Sequence, residues 1–152
     1  MNARSALRIS LLSLSVATLA ACGGSSTTGT TLPPGYYITI TGMAFAPLNL
    51  AAPSGATVTV VNRDAMTHSV TSQAAAGSFT PGTSAGTPFD TGLFTGTKTF
   101  TLPAGLADGT VLHYYCTSHG SLMLTPNGTI TIQAAAQPGP YPGGGGGGVG
   151  GY

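Results

Sequence analysis

The apolar residues of this chain recur with a period of two. Tyr36, Ile38 and Ile40 alternate with Tyr37, Thr39 and Thr41, and the same alternation runs through Val58-Thr59-Val60, Thr99-Phe100-Thr101-Leu102 and Thr129-Ile130-Thr131-Ile132. Successive side chains of a strand point to opposite faces, so this pattern builds half-buried strands and gives no stripe for a helix. The runs are drawn from Thr, Val, Ile, Tyr and Phe, which fit a pleated surface. Turn-forming residues separate them: Ala46-Pro47, Pro53 to Gly55, Gly86 to Pro88, Pro103 to Gly105, Asp108-Gly109 and Pro126 to Gly128. Many short strands at this spacing imply an all-β domain, a sandwich or a barrel. Between them, Gln73 to Pro88 reads as a small-residue loop with a helical turn at Gln73 to Ala76. There is no internal repeat.

The pattern is confined to residues 36–133. Upstream, Arg4 and Arg8 precede a short apolar run, Ile9 to Ala20, which ends in Leu19-Ala20-Ala21-Cys22. A basic start, an apolar stretch too short to cross a bilayer and small residues at the cut are the marks of an export signal. The ending resembles the bacterial lipobox. That resemblance implies a lipoprotein signal peptide over residues 1–21 and a lipid on Cys22. Residues 22–35 are rich in Gly, Ser, Thr and Pro and read as a flexible tether. Residues 134–152, with Gly143 to Gly148 in a row, read as a disordered tail. The expectation is an exported, membrane-anchored lipoprotein facing the periplasm or cell surface. Gly23 rather than Asp after Cys22 is compatible with the outer membrane. Outside the N-terminus no apolar run is long enough to span a bilayer.

Charge narrows the chemistry. Only 5% of residues are charged and there is no Glu, so no basic patch awaits nucleic acid and few groups remain for acid–base catalysis. Beyond the leader stand two basic residues, Arg63 and Lys98, and three acidic ones, Asp64, Asp90 and Asp108. If Cys22 carries lipid, Cys116 is the lone thiol of an exported domain. It has no disulfide partner, and a metal would protect it.

Cys116 stands in His113-Tyr-Tyr-Cys116-Thr-Ser-His119-Gly-Ser-Leu-Met123. In a strand ending there, Leu112, Tyr114 and Cys116 share the inward face, while Val111, His113 and Tyr115 face out. A thiol, an imidazole and a thioether thus converge in one loop. Upstream, Asn62-Arg-Asp64-Ala-Met-Thr-His68 puts a second imidazole in a turn between strands. One thiolate, two imidazoles and a weak thioether suit copper electron transfer. Zinc has little use for Met. A Cys-His nucleophile pair would lack an orienting Asp or Asn. His113 is expected to be an exposed strand residue outside the site. Tyr115 is read either as a step on an electron route or as a surface Tyr, and Asp64 and Asn62 as shaping the turn before His68.

The ordered pattern resembles the cupredoxins, small blue-copper proteins of the plastocyanin and azurin type. It is carried by Gly42-Met-Ala-Phe45-Ala-Pro47, Gly55 to Asn62, Asp64, His68, Phe89-Asp90-Thr-Gly92, Gly96 to Phe100 and Tyr115-Cys116-x-x-His119. The resemblance implies a Greek-key β-sandwich of about seven to eight strands. It implies one type 1 copper ion held by His68, Cys116 and His119, with Met123 axial. Met66 is the alternative axial residue, because the Cys-x2-His-x3-Met spacing falls between the family's common forms. Ser69 stands where many members have Asn. Asn62, Ser69 and Thr117 are expected to surround the ligands, with the Ser69–Thr117 tie either shorter or through water.

These features together give the functional expectation: a membrane-tethered copper protein passing single electrons between envelope redox partners, not an enzyme, and monomeric. Docking is expected on the uncharged surface of Ala65, Met66, Gly120, Ser121 and Leu122. The alternative is a carrier that delivers copper to another envelope protein. An enzyme would need further copper sites, and the chain offers only His113 beyond the proposed pair.

Overall fold

Each alternating run becomes a strand, because pairing satisfies backbone N–H and C=O groups while one face is buried. The computed structural model describes residues 32–142. The signal segment, Cys22, most of the tether and the glycine run from Gly143 lie outside the described residues.

Eight strands follow in order: β1 (Tyr36–Thr41), β2 (Ala44–Ala46), β3 (Asn49–Ala52), β4 (Thr57–Asn62), β5 (Thr71–Gln73), β6 (Gly96–Thr101), β7 (Val111–Tyr115) and β8 (Gly128–Ile132). They form two mixed four-stranded sheets, β2-β1-β4-β6 and β3-β8-β7-β5. In the first, β1 and β4 are parallel, with Tyr36 opposite Val58 and Ile40 opposite Asn62. In the second, β7 is antiparallel to both β8 and β5. The chain crosses between sheets in the manner of a Greek-key sandwich, as expected.

The core lies between the sheets. Ile38, Ile40, Val58, Val60 and Phe100 meet Leu112, Tyr114, Ile130 and Ile132, all buried. Each such side chain contributes about 1.5–3 kcal/mol through removal from water. A slip of one residue would turn these side chains to the opposite face, so the apolar parity fixes the register.

The same pairing places the site. β4 ends at Asn62, and the following loop carries His68 across to the second sheet. There Thr71 pairs with Tyr115, so Ser69 sits beside the residue that follows β7, Cys116. His68 is clamped to a neighbouring strand-like segment by backbone bonds in both directions with Phe94, at 3.1 and 2.9 Å.

The described residues differ from expectation in four places. No helical turn forms at Gln73 to Ala76, because Gln73 ends β5 and its buried amide is committed elsewhere. Its Nε2 donates to Asn127 Oδ1 at 2.6 Å, and its Oε1 accepts from the Phe79 N–H at 3.0 Å. That pins the 74–88 loop over the sheet. Tyr115 is consequently buried, at 3% exposure, with the Phe79 ring edge-on at 6.0 Å. His113 is half-buried rather than exposed, and its Nδ1 is enclosed without a hydrogen-bond partner.

The fourth difference concerns the tail. Residues 134–142, expected to lack structure, lie along β1. Gly139 and Gly35 exchange backbone hydrogen bonds at 2.9 and 3.0 Å, and Tyr141 packs edge-on against Tyr37 at 5.4 Å. The guanidinium of Arg63 sits 6.0 Å from the Tyr141 ring centre. The aromatic residue among the prolines supplies apolar area that the composition of the segment hid.

Candidate metal centre

Two loops from opposite sheets meet at one end of the sandwich. Cys116 is fully buried immediately after β7. Its Sγ lies 3.7 Å from His68 Nδ1 and 3.4 Å from His119 Nδ1. One donor atom from each of the three residues fits within 4.8 Å of the others. Metal–nitrogen and metal–sulfur bonds of about 2.0 and 2.3 Å, set about 120° apart, would separate S from N by about 3.7 Å. The chemistry and spacing therefore fit one soft-to-borderline metal ion shared by the three side chains.

The imidazole rings of His68 and His119 are 4.6 Å apart and tilted by 44°. His68 is fully buried, whereas His119 is half-exposed. Burial holds the His68 imidazole below its ordinary range, and the neighbouring His119 adds to this, while Asp64 opposes it. The ring is thus neutral and able to offer a lone pair.

After Cys116 the chain turns tightly. The backbone N–H of Gly120 donates to the Cys116 carbonyl at 2.8 Å, and a single 3-10 turn, Gly120 to Leu122, follows. Such a turn uses three residues, which brings Met123 back to the interior. Met123 is 3% exposed and belongs to the same buried cluster as Cys116. Met66, the alternative axial residue, is 49% exposed and outside that cluster.

The residues expected around the ligands are all engaged. Ser69 donates its backbone N–H to Cys116 Sγ at 3.4 Å. Its hydroxyl accepts from the Thr117 backbone N–H at 3.0 Å and lies 3.1 Å from the Thr117 hydroxyl. The tie between the ligand loops is therefore direct. Asn62 donates to the carbonyls of Met66 and Phe94, each at 2.8 Å, and accepts from the Asp64 N–H at 3.0 Å. It holds the His68 loop in shape.

Asp64 does more than turn the chain. Its Oδ2 sits 3.1 Å from His68 Nε2, and its oxygens also accept backbone bonds from Gly42 and Met43. The Met43 N–H is the main cause holding this carboxyl below its usual range, helped by Gly42 and His68 and opposed by burial. The four-residue spacing from His68 was visible in the sequence, but in a loop that spacing has no fixed geometry.

Ala65, Met66, Ser121 and Leu122 are exposed and Gly120 is half-buried, all beside the centre. Leu93 and Leu124, not anticipated, add to the surface, with Leu122 and Leu124 at 77% and 78% exposure. These positions carry no charge; the nearest charged residues in the chain are Asp64, bonded to His68, and the exposed Arg63. Among the described residues no second group of His, Cys or Asp gathers to hold a metal.

Residues 36–133 match the family described as copper binding proteins, plastocyanin/azurin family. Among solved structures, the chain is similar to an oxidized mutant of amicyanin: 21% identity, 65% of this chain, 82% of that chain and a TM-score of 0.48. It is also similar to a purple cupredoxin from Nitrosopumilus maritimus: 24% identity, 64% of this chain, 99% of that chain and a TM-score of 0.43. A copper-containing nitrite reductase from Thermus scotoductus is similar over 67% of this chain but 23% of its own: 19% identity and a TM-score of 0.46. No curated protein matches the chain.

Proposed function

The chain belongs to the plastocyanin/azurin family of copper-binding proteins, and from that premise we propose that it carries single electrons between redox partners in the cell envelope. The observation that carries the reading is the buried Cys116 Sγ flanked by two imidazole nitrogens at 3.7 and 3.4 Å. His68, Cys116 and His119 would hold the ion, with the buried Met123 thioether as a further weak ligand. Bound copper supplies one-electron chemistry between Cu(I) and Cu(II).

The chain's own residues prepare the site for that role. The Ser69 N–H donates to Sγ and helps fix the position of the sulfur. The Ser69–Thr117 tie and the Phe94 clamp fix the two ligand loops to each other and to the sheet. A frame that cannot relax imposes nearly the same ligand positions on both oxidation states, which keeps reorganisation small. His119 is half-exposed, and Met66, Leu93, Leu122 and Leu124 are exposed on the segments that carry or adjoin the ligands. Its ring edge is the entry for electrons, and the uncharged rim gives weak apolar docking with little dependence on salt. A lipid on Cys22 would tether the domain to a membrane. This part of the reading is tested by mass spectrometry of the membrane fraction, where a free Cys22 on soluble material would remove the tether.

Optical and electron-spin spectra of the copper-loaded protein test the reading. An intense thiolate-to-copper band is expected, abolished by Cys116→Ser with the sandwich still folded. Met123→Leu should keep the colour and change the potential. An unchanged spectrum in Cys116→Ser would remove Cys116 from the site. Copper held through repeated oxidation and reduction supports electron transfer; ready loss of copper to an acceptor protein would make the chain a copper carrier instead.

A further inference from the structure

One carboxylate touches a ligand from one loop and a turn that bonds to the other. Asp64 Oδ1 accepts from the Gly42 N–H at 2.6 Å, and Oδ2 from the Met43 N–H at 2.9 Å. Backbone N–H groups only donate, so the carboxyl acts as an ionised acceptor toward them. His68 Nε2, 3.1 Å from Oδ2, must then carry a proton, since two acceptors at that distance would repel. The proton on Nε2 leaves the lone pair on Nδ1, the atom that faces Cys116 Sγ.

The turn that Asp64 grips leads to the other ligand loop. Gly42 and Met43 both have positive φ, 58° and 63°, an unfavourable conformation for Met. The carboxylate holds the turn there. In that conformation the Met43 carbonyl accepts from the Leu124 N–H at 2.8 Å, one residue beyond Met123. Phe45 N–H also donates to Thr125 Oγ1 at 2.5 Å.

We propose that Asp64 is a positioning residue for the copper centre, setting the tautomer of His68 and, through the Met43 carbonyl, the placement of Met123. The proposal rests on the copper reading above. A residue that merely shapes its own loop would have no reason to share its oxygens among an imidazole and a turn 21 residues upstream.

The experiment combines a readout without metal and one with it. In the apo protein labelled with 15N, long-range proton–nitrogen spectra of His68 should report Nε2–H. An Nδ1–H tautomer in the wild type overturns the proposal without any variant. Asp64→Asn keeps an oxygen for the turn but offers an amide N–H to Nε2, so the tautomer should shift toward Nδ1–H. Loss of the carboxylate makes the imidazole a poorer donor, so Cu(II) affinity should fall by about 10–100-fold. Cu(I) should lose less, and the potential should rise by about 59 mV for each tenfold difference. The absorption and electron-spin signature should move as Met123 shifts.

Asp64→Glu retains the carboxylate and should recover the tautomer. If Asp64→Asn fails to fold, the wild-type tautomer and the Asp64→Glu protein still decide. A lowered melting temperature with tautomer, potential and spectrum all unchanged would make Asp64 a purely structural residue and overturn the proposal. A wild type that shows Nε2–H but no charge-transfer band with copper would instead defeat the copper reading, which keeps the two failures apart.

Discussion

Ser69→Ala tests whether one hydroxyl joins the two ligand loops. The direction of every proton in its network follows from the geometry. Asp90 Oδ1 already accepts the Gly92 N–H at 2.8 Å and lies 2.7 Å from Thr71 Oγ1, so the Thr71 hydroxyl spends its single proton there. Thr71 Oγ1, 2.9 Å from Ser69 Oγ, must accept from Ser69. Ser69 Oγ then accepts twice, from the Thr117 N–H and from the Thr117 hydroxyl. Alanine removes three bonds at a position with no exposure. Thr117 is exposed and can turn to water, whereas Thr71 is buried and cannot. With net values near 1 kcal/mol for a buried bond and less for those that water replaces, the loss is about 2 kcal/mol. For a domain of this size that lowers the melting temperature by about 10 °C. Urea unfolding of the apo protein should show a lower midpoint at unchanged slope. A double-mutant cycle with Asp90→Ala should show coupling of at least about 0.5 kcal/mol. A loss below about 0.5 kcal/mol, or strict additivity with Asp90→Ala, would refute the directed chain of hydroxyls.

Four further outcomes are expected. Tyr114 has a fully buried hydroxyl without a partner, and burial pushes its phenol well above the ordinary range. Tyr114→Phe should therefore leave stability unchanged or raise it by about 1–2 kcal/mol; a loss above 1 kcal/mol by urea unfolding would mean the hydroxyl is satisfied. A Cβ on Gly128 would lie 2.1 Å from Tyr114 Cζ, so Gly128→Ala should cost about 1–3 kcal/mol or more, read the same way. In the apo protein, the unfolded chain protonates His68 near 6.5 while the folded chain resists. The unfolded state then binds more protons, so stability is full above about 6.5 and falls as pH drops below it, by at most about 1.4 kcal/mol per unit. Asp64 acts lower: its contribution persists above about 3.8 and is lost as pH falls below that. Stability of the apo protein that stays flat between pH 7 and 5 would refute the burial argument for His68.

The strands with alternating residues were legible because parity is a local property. β2, β3 and β5 were not, since Ala44 to Ala46, Asn49 to Ala52 and Thr71 to Gln73 have no alternation and depend on the strands they pair with. The three donors now within one cluster were legible from residue type and order, because so few such residues exist in the chain. What parity could not say is what covers an outward face. Tyr115 and Tyr37 point away from the core and are buried nonetheless, one by the loop that Gln73 anchors, the other by the tail with Tyr141. From the sequence Asp64 reads as a turn residue, since nothing in a single sequence says that Gly42 and Met43 fold back onto its oxygens.

The separation of the two ligand loops has a kinetic meaning. His68 and Cys116 stand 48 residues apart, and they meet only after β5 has paired with β7 and β4 with both β1 and β6. Distant pairings of this kind pay their loop-closure entropy before any contact rewards it, so they form late. A nascent or partly unfolded chain thus presents the Cys116–His119–Met123 segment without His68, a set that holds an ion less tightly than the completed site. Metal uptake becomes a checkpoint on folding, and the tightly bound form is reserved for molecules that have already reached their final shape.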